Sequence, residues 1–311
     1  MKKCLAFVLA GGGSRGALQV GALRALFEAG IKPDLLVGTS IGAVNAVGLA
    51  LWGMDLAGIE RLECTYQDVT ASRLMDSQFA QFILDTLSKR PNYRASRRIR
   101  EFLVTKGIAA DLRFSQLTTV RLGLVSSDME TGEVVVYGKD PEQSVLEGLM
   151  ASMALPPWFA PVERDGHFIV DGGALSNLPI ESALALGATE IIALDLNDAG
   201  GMAGSDKGYG KYLEKFLFAI MQRQAYLEME LAAARNVPVH YIGLKISPSV
   251  PIWDFRTHPD LFKVGYELMQ QRIPDLLQSI QPELVFQSWR IKLPNWLPNG
   301  IKNLLPSRGS Q

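Results

Sequence analysis

Short runs rich in Val, Ile and Leu alternate along the chain with stretches whose apolar residues return every three or four positions. The first kind predicts strands at Leu5–Ala10, Leu35–Gly38, Arg121–Ser126, Glu133–Tyr137, Phe168–Val170, Glu190–Leu194 and Val239–Lys245, with Gly, Asp and Pro as the punctuation between them. The second predicts helices. Within Ser14–Ala29, residues Ala17, Leu18, Ala22, Ala25, Leu26 and Ala29 keep helical spacing, Gly30 supplies a C-terminal cap, and Pro33 follows. Asp55–Thr105 is helical in pattern, Gly210–Arg235 reads as a long amphipathic helix, and another is expected over Pro259–Gln278. A strand–helix–strand opening followed by further alternation predicts an α/β fold, with a mostly parallel central sheet wrapped by helices on both faces. From Pro282 onward the periodicity stops among prolines, Trp289 and Trp296, so a domain over 1–281 and a tail over 282–311 are expected.

Composition narrows the classes. With 48% hydrophobic and 20% charged residues the chain can bury a core, and a formal net charge of −1 removes the strongly basic field expected of a nucleic-acid binder. Its two cysteines, Cys4 and Cys64, make no disulfide framework and fit a reducing, cytoplasmic setting. Lys2-Lys3 before the apolar Cys4–Ala10 imitates a secretory leader, but the glycine loop that follows needs that run as its supporting strand. The apolar stretch from Ile41 to Ile59 is broken by Asn45 and Asp55, so no membrane span is expected.

Three places carry candidate chemistry. Gly38-Thr39-Ser40-Ile41-Gly42 follows an apolar strand and runs into the helical Ala43–Leu51, the setting of a nucleophile elbow whose flanking glycines permit a tight turn that presents Ser40. Gly11-Gly12-Gly13-Ser14-Arg15-Gly16 links the first strand to the next helix, where backbone N–H groups converge on negative charge. Its spacing also satisfies a dinucleotide fingerprint, but the second strand ends in Thr39-Ser40 and lacks the acidic residue that would hold a ribose. An oxyanion hole beside Ser40 is the better use of the loop. A serine needs a base, and the three histidines, His167, His240 and His258, sit where structural or capping roles are expected. Asp171, at the end of Phe168-Ile169-Val170 and before Gly172-Gly173, is the carboxylate alternative.

Taken in order, the Gly11–Gly16 loop, Gly38-Thr-Ser-Ile-Gly42 and Asp171-Gly-Gly173 resemble the three signatures of the patatin-like phospholipases. The segment Ala151–Val162 and the run Asn177-Leu178-Pro179 look like that family too, so the resemblance covers about the first 200 residues. It implies a lipid acyl-ester hydrolase acting on phospholipids, lysophospholipids or another long-chain ester through a Ser40–Asp171 dyad. It further implies an oxyanion hole from the N–H groups of Gly12, Gly13 and Ser14, and no metal or organic cofactor. Arg15 would brace the loop or meet a lipid phosphate. Trp158 and Phe159 would line an acyl groove or simply pack in the core. Two rivals remain: a Ser–His–Asp α/β-hydrolase, and a non-catalytic lipid- or protein-binding regulator on the same fold.

Lys89, Arg90, Arg94, Arg97, Arg98 and Arg100 place six cations within twelve residues with no acidic residue among them, either a solvated helix face or a contact for an anionic membrane surface. The five glycines of Ala199–Gly210 mark a connector or a lid over the site.

Overall fold

The computed structural model describes residues 3–72, 74, 93–156, 158–197, 209–247 and 250–280. The chain divides into two compact units, Met1–Gln270 and Gln271–Gln311. In the second unit the described part is a helix, Ile273–Ile280. The expected tail over 282–311, and most of Ala199–Gly210, lie outside the described residues.

The first unit is built on a mixed, mostly parallel sheet. Strands β1 (Leu5–Leu9), β2 (Leu35–Thr39), β3 (Arg121–Asp128), β4 (Val134–Tyr137), β5 (Val162–Arg164), β6 (His167–Asp171), β7 (Glu190–Asp195) and β8 (Val239–Gly243) all belong to it. Five of them run parallel in the order β3-β2-β1-β7-β8, while β4 and β6 pair antiparallel with β3, and β5 with β6. All five residues of β1 are buried, as a central parallel strand covered on both faces requires. That burial is why Leu5–Leu9 is uniformly apolar. Ala6, Val8 and Ala10 join Leu35 and Val37 in a core cluster with Ile180, Ala183, Ala225 and Ala232 from helices α6 (Ile180–Ala185) and α7 (Tyr209–Ala234). Phe7, Leu9 and Leu36 alternate with them, so they fall on the opposite face, and they too are fully buried.

Helix α1 (Gly16–Glu28) is followed by α2 (Ile41–Trp52), α3 (Leu56–Ala71), α4 (Tyr93–Thr105), α5 (Val145–Ser152) and, after α6 and α7, α8 (His258–Gln270). The continuous helical pattern expected over Asp55–Thr105 therefore resolves into α3 and α4, with most of 73–92 outside the described residues. Asp55 starts α3 as its N-cap, accepting from the Gly58 N–H at 3.0 Å. Pro259–Gln278 is likewise two helices, broken after Gln270. Gly30, at φ 76°, closes α1 as expected of a left-handed cap.

Helices α1 and α8 cross at glycines. A Cβ on Gly21 would lie 1.9 Å from the Phe262 carbonyl oxygen, and one on Gly265 would lie 2.0 Å from that of Leu18. Each glycine thus admits the backbone of the other helix. Gly265→Ala is expected to lower stability by about 1–3 kcal/mol, because the added methyl must push two backbones apart. Urea unfolding with an unchanged m-value would show it, and a neutral or stabilised variant would contradict the tight crossing.

Candidate active site

Ser40 lies between the end of β2 and the start of α2, with φ 55° and ψ −120°. A side-chain-bearing residue at positive φ costs on the order of 1–3 kcal/mol and persists only where its surroundings enforce it. The enforcement is visible. A Cβ on Gly38 would come within 2.5 Å of the Gly42 carbonyl, and one on Gly42 within 2.2 Å of the Leu9 carbonyl oxygen. Both glycines are therefore demanded by backbone contact around the turn. The Ser40 N–H donates to Ser152 Oγ at 2.9 Å, and that hydroxyl donates in turn to the Val125 carbonyl at 2.6 Å. Its carbonyl accepts from the N–H groups of Ala43 and Val44 at 3.0 and 3.2 Å. The backbone of Ser40 is thus fully engaged.

Asp171 reaches the same place from the opposite direction. Leu124 and Val125 of β3 pair with both β2 and β4, and Ser126 and Ser127 pair with both β4 and β6. Since a strand has two edges, β2 and β6 must share one, each facing β4 across β3. Along that edge Thr39 pairs with Val125 and Asp171 with the next residue, Ser126. Two strands of opposite direction therefore meet end to end, and their terminal residues bring Ser40 and Asp171 together. Gly172 makes room for this meeting, because a Cβ there would lie 2.4 Å from the Val125 carbonyl oxygen.

The Asp171 side chain is 3% exposed. Its Oδ1 accepts from the Gly173 N–H at 2.8 Å, whereas the buried Oδ2 takes no hydrogen bond among the described residues. Burial pushes the carboxyl up to about 6, against the Ser40 hydroxyl and the Gly173 N–H, which both favour the ion. A carboxylate with one open oxygen beside a serine is arranged to receive a proton.

The glycine loop is clamped from two sides. The Gly11 N–H donates to the Asn177 carbonyl at 3.1 Å, and Asn177 Nδ2 reaches the Gly11 carbonyl at 3.4 Å. On the other side, Ser14 N–H donates to the Ile252 carbonyl at 2.6 Å, Ser14 Oγ to that of Pro251 at 2.9 Å, and Arg15 Nε to that of Val250 at 2.9 Å. Gly13, at φ 58°, leaves no room for a side chain, since a Cβ would sit 2.1 Å from the Ile252 carbonyl oxygen. The expectation that Ser14 supplies an oxyanion N–H is corrected by this geometry: that donor is committed to Ile252. Gly12 and Gly13 keep N–H groups with no acceptor among the described residues. The Arg15 Nε contact ties the end of the loop to residue 250.

Gly11, Gly12, Gly13, Ser40, Asp171 and Gly173 all border one cavity of about 230 Å³. The rest of its wall is chiefly apolar. Trp158 and Phe159 line it, with Trp158 stacked on Trp253 at 6.1 Å between ring centroids. Helix α4 contributes Ile99, Phe102 and Leu103, and α7 contributes Met221. None of the histidines borders it. His167 is paired with Asp128 at 2.7 Å, His240 with Glu190 at 2.9 Å, and His258 turns Nδ1 toward the Phe255 carbonyl at 2.8 Å. Asp128, Glu130 and His167 stand close together away from this cavity; both Asp128 oxygens and Glu130 Oε2 are engaged, by the N–H groups of Glu130, Thr131 and Phe168 and by the imidazole.

Several contributors had no signal in the sequence. Ser152 and Asn177 lie within segments noted only for their resemblance, and residues 250–253 form an irregular stretch whose carbonyls at 250–252 hold the loop while Ile252 and Trp253 line the cavity. A buried network also supports the loop from below. Gln19 Nε2 donates to the carbonyls of Ala10 and Leu194, Asn45 Nδ2 donates to Gln19 Oε1, and Tyr66 Oη donates to Asn45 Oδ1.

Residues 7–184 match the family model described as patatin-like phospholipase. A patatin-like phospholipase domain-containing protein of Caenorhabditis elegans is 32% identical over 197 residues, covering 62% of this chain and 13% of that protein. The lysophospholipase nte1 of Aspergillus terreus is 28% identical over 306 residues, covering 88% of this chain and 18% of the relative. The chain thus spans less than a fifth of either relative. Among solved structures, ExoU in its complex with SpcU from Pseudomonas aeruginosa aligns over 89% of this chain and 52% of its own, with a TM-score of 0.46 and 16% identity. Since the matched span covers more than half of the sequence and contains the elbow, the glycine loop and Asp171 alike, the chain belongs to the patatin-like phospholipase family.

Proposed function

We propose that the chain is a cofactor-independent hydrolase of lipid acyl esters, of phospholipase A or lysophospholipase type, in which Ser40 is the nucleophile and Asp171 its general base. The observation that carries this reading is the buried Oδ2 of Asp171 beside a strained Ser40, on an apolar cavity bordered by two glycine N–H groups, none of the three having a hydrogen-bond partner among the described residues. Ser40 Oγ attacks the ester carbonyl while its proton passes to Asp171, and the oxyanion is held by the N–H groups of Gly12 and Gly13. Collapse expels the alcohol, which takes the proton from Asp171. Water then attacks the acyl-enzyme, Asp171 receives its proton, and release of the fatty acid returns that proton to Ser40. The apolar wall takes the acyl chain, with Trp158 and Phe159 as part of it. A panel of phospholipids and lysophospholipids with mass-spectrometric product analysis tests the reading. Absence of fatty-acid release from every lipid, or equal release by Ser40→Ala, would reject it.

The reading includes a peripheral approach to anionic membranes. Among the described residues no helix is long and apolar enough to cross a bilayer. Helix α4 turns Ile99 and Leu103 inward to the cavity, while Arg94, Arg97, Arg98 and Arg100 are exposed and Arg97 pairs with Glu101 at 3.0 Å. Lys89 and Arg90 lie outside the described residues. Each cation near an anionic surface contributes about 1 kcal/mol, so joint replacement of Arg94, Arg98 and Arg100 by Gln is expected to weaken binding to anionic vesicles roughly 100-fold. Sedimentation with anionic and neutral vesicles reads this out, and equal loss on both would remove the electrostatic contact.

A further inference from the structure

Helix α7 supplies no group to the chemistry above except a wall residue, yet one of its faces runs along the segment that follows Asp171. Met221 borders the cavity, Gln224 Nε2 donates to the Ala174 carbonyl at 2.8 Å, and Glu228 closes the series. These positions share a helix face. Glu228 is 7% exposed, and its two oxygens are both used: Oε1 accepts from Ser176 Oγ at 2.6 Å and Oε2 from the Glu181 N–H at 2.9 Å.

Ser176 is where the site is hung. Its carbonyl accepts from Thr39 Oγ1, next to Ser40, at 2.9 Å. The following residue, Asn177, holds Gly11 through backbone and side chain. We infer that Glu228 is a positioning residue, which through Ser176 and Asn177 sets the elbow and the glycine loop against Asp171. The inference rests on the Ser40–Asp171 reading and assigns the device that keeps its parts in register.

The choice of a carboxylate supports it. Glu228 lies beside the apolar cluster of Leu178, Ile180, Ala225 and Ala232, and burial raises its carboxyl from 4.5 to about 7. The Ser176 hydroxyl and the backbone N–H groups of Ile180 and Glu181 oppose that shift, whereas the Glu181 carboxylate, the charged group facing it from α6, adds to it. Between these two values the folded chain binds a proton that the unfolded chain has lost, so stability falls as pH rises through this window. A neutral isostere would avoid the cost. Retention of an expensive group where it touches the active loops is expected of function rather than of packing.

Glu228→Gln and Ser176→Ala, singly and together, separate the alternatives when kcat and KM for a soluble acyl ester are measured beside Tm as a function of pH. The Gln variant is expected to melt higher than the parent at about pH 8 and to lose that advantage toward about pH 4.5. Its kcat is expected to fall on the order of tenfold with KM nearly unchanged, because displaced groups fail in the transition state before they fail in binding. Ser176→Ala should lose a similar factor, and the double variant little more than either, since both break one path. Unchanged kcat in both single variants would overturn the inference, as would losses that multiply or that follow a drop in Tm. Ser40→Ala, assayed alongside, distinguishes the two failures: activity surviving there strikes the dyad, whereas its loss there together with full activity in the other two strikes only Glu228.

Discussion

Ser40→Ala is expected to lower kcat for ester hydrolysis by about 10⁴-fold or more, the scale on which serine hydrolases lose activity when the nucleophile is removed. Fold should survive the change. The contacts that fix this position are made by its N–H, to Ser152, and by its carbonyl, to Ala43 and Val44, and alanine retains both. The strained φ of 55° is enforced by the glycines around it rather than by the hydroxyl. Circular dichroism and Tm should therefore match the parent, while labelling by an active-site-directed fluorophosphonate disappears. Residual hydrolysis within tenfold of the parent would place the nucleophile elsewhere. Failure of the parent itself to label would favour a binding protein that keeps this fold without its chemistry.

How far such a site can be read in advance depends on what holds each part. Ser40 was legible because a strand, two glycines and a helix must all be local in sequence to make the turn, and their close contacts at Leu9 and Gly42 explain the spacing. Strands of the parallel core were legible for a similar reason, since burial on both faces leaves uniformly apolar runs. Asp171 was less so. Its position depends on β6 meeting β2 head-on along one edge of β3, a pairing between segments more than a hundred residues apart that no local pattern encodes. Strand β5 was missed because three residues, two of them charged and exposed, carry no strand pattern. Ser14 came to the oxyanion through the family resemblance, but its N–H is taken by the distant Ile252 carbonyl, which no local pattern discloses. Glu228 was invisible as chemistry because a single acidic residue in an amphipathic helix reads as part of its polar face.

Asp171→Asn should produce the second large loss, and its pH dependence is the sharper test. With the Asp171 carboxyl at about 6, the parent's kcat/KM is expected to rise with pH up to about that value and then level, because only the ionised form accepts the serine proton. The asparagine variant should fall by about 10⁴-fold and lose that limb. Its structure is suited to the exchange: the amide oxygen can keep the Gly173 N–H, and the amide nitrogen replaces an oxygen that takes no hydrogen bond among the described residues, so that the contact changed is the one with the Ser40 hydroxyl. Stability should move the other way. The folded chain holds the Asp171 proton from 3.8 to about 6 while the unfolded chain releases it, so ionisation costs stability as pH rises through that window. Removing the charge is then expected to stabilise the protein at about pH 8 by up to about 3 kcal/mol, and to have no such effect below about pH 4. A variant that is inactive and yet melts higher cannot owe its inactivity to misfolding, so the combination isolates the base. An asparagine variant that retained the acid limb with appreciable activity would mean that another group takes the serine proton.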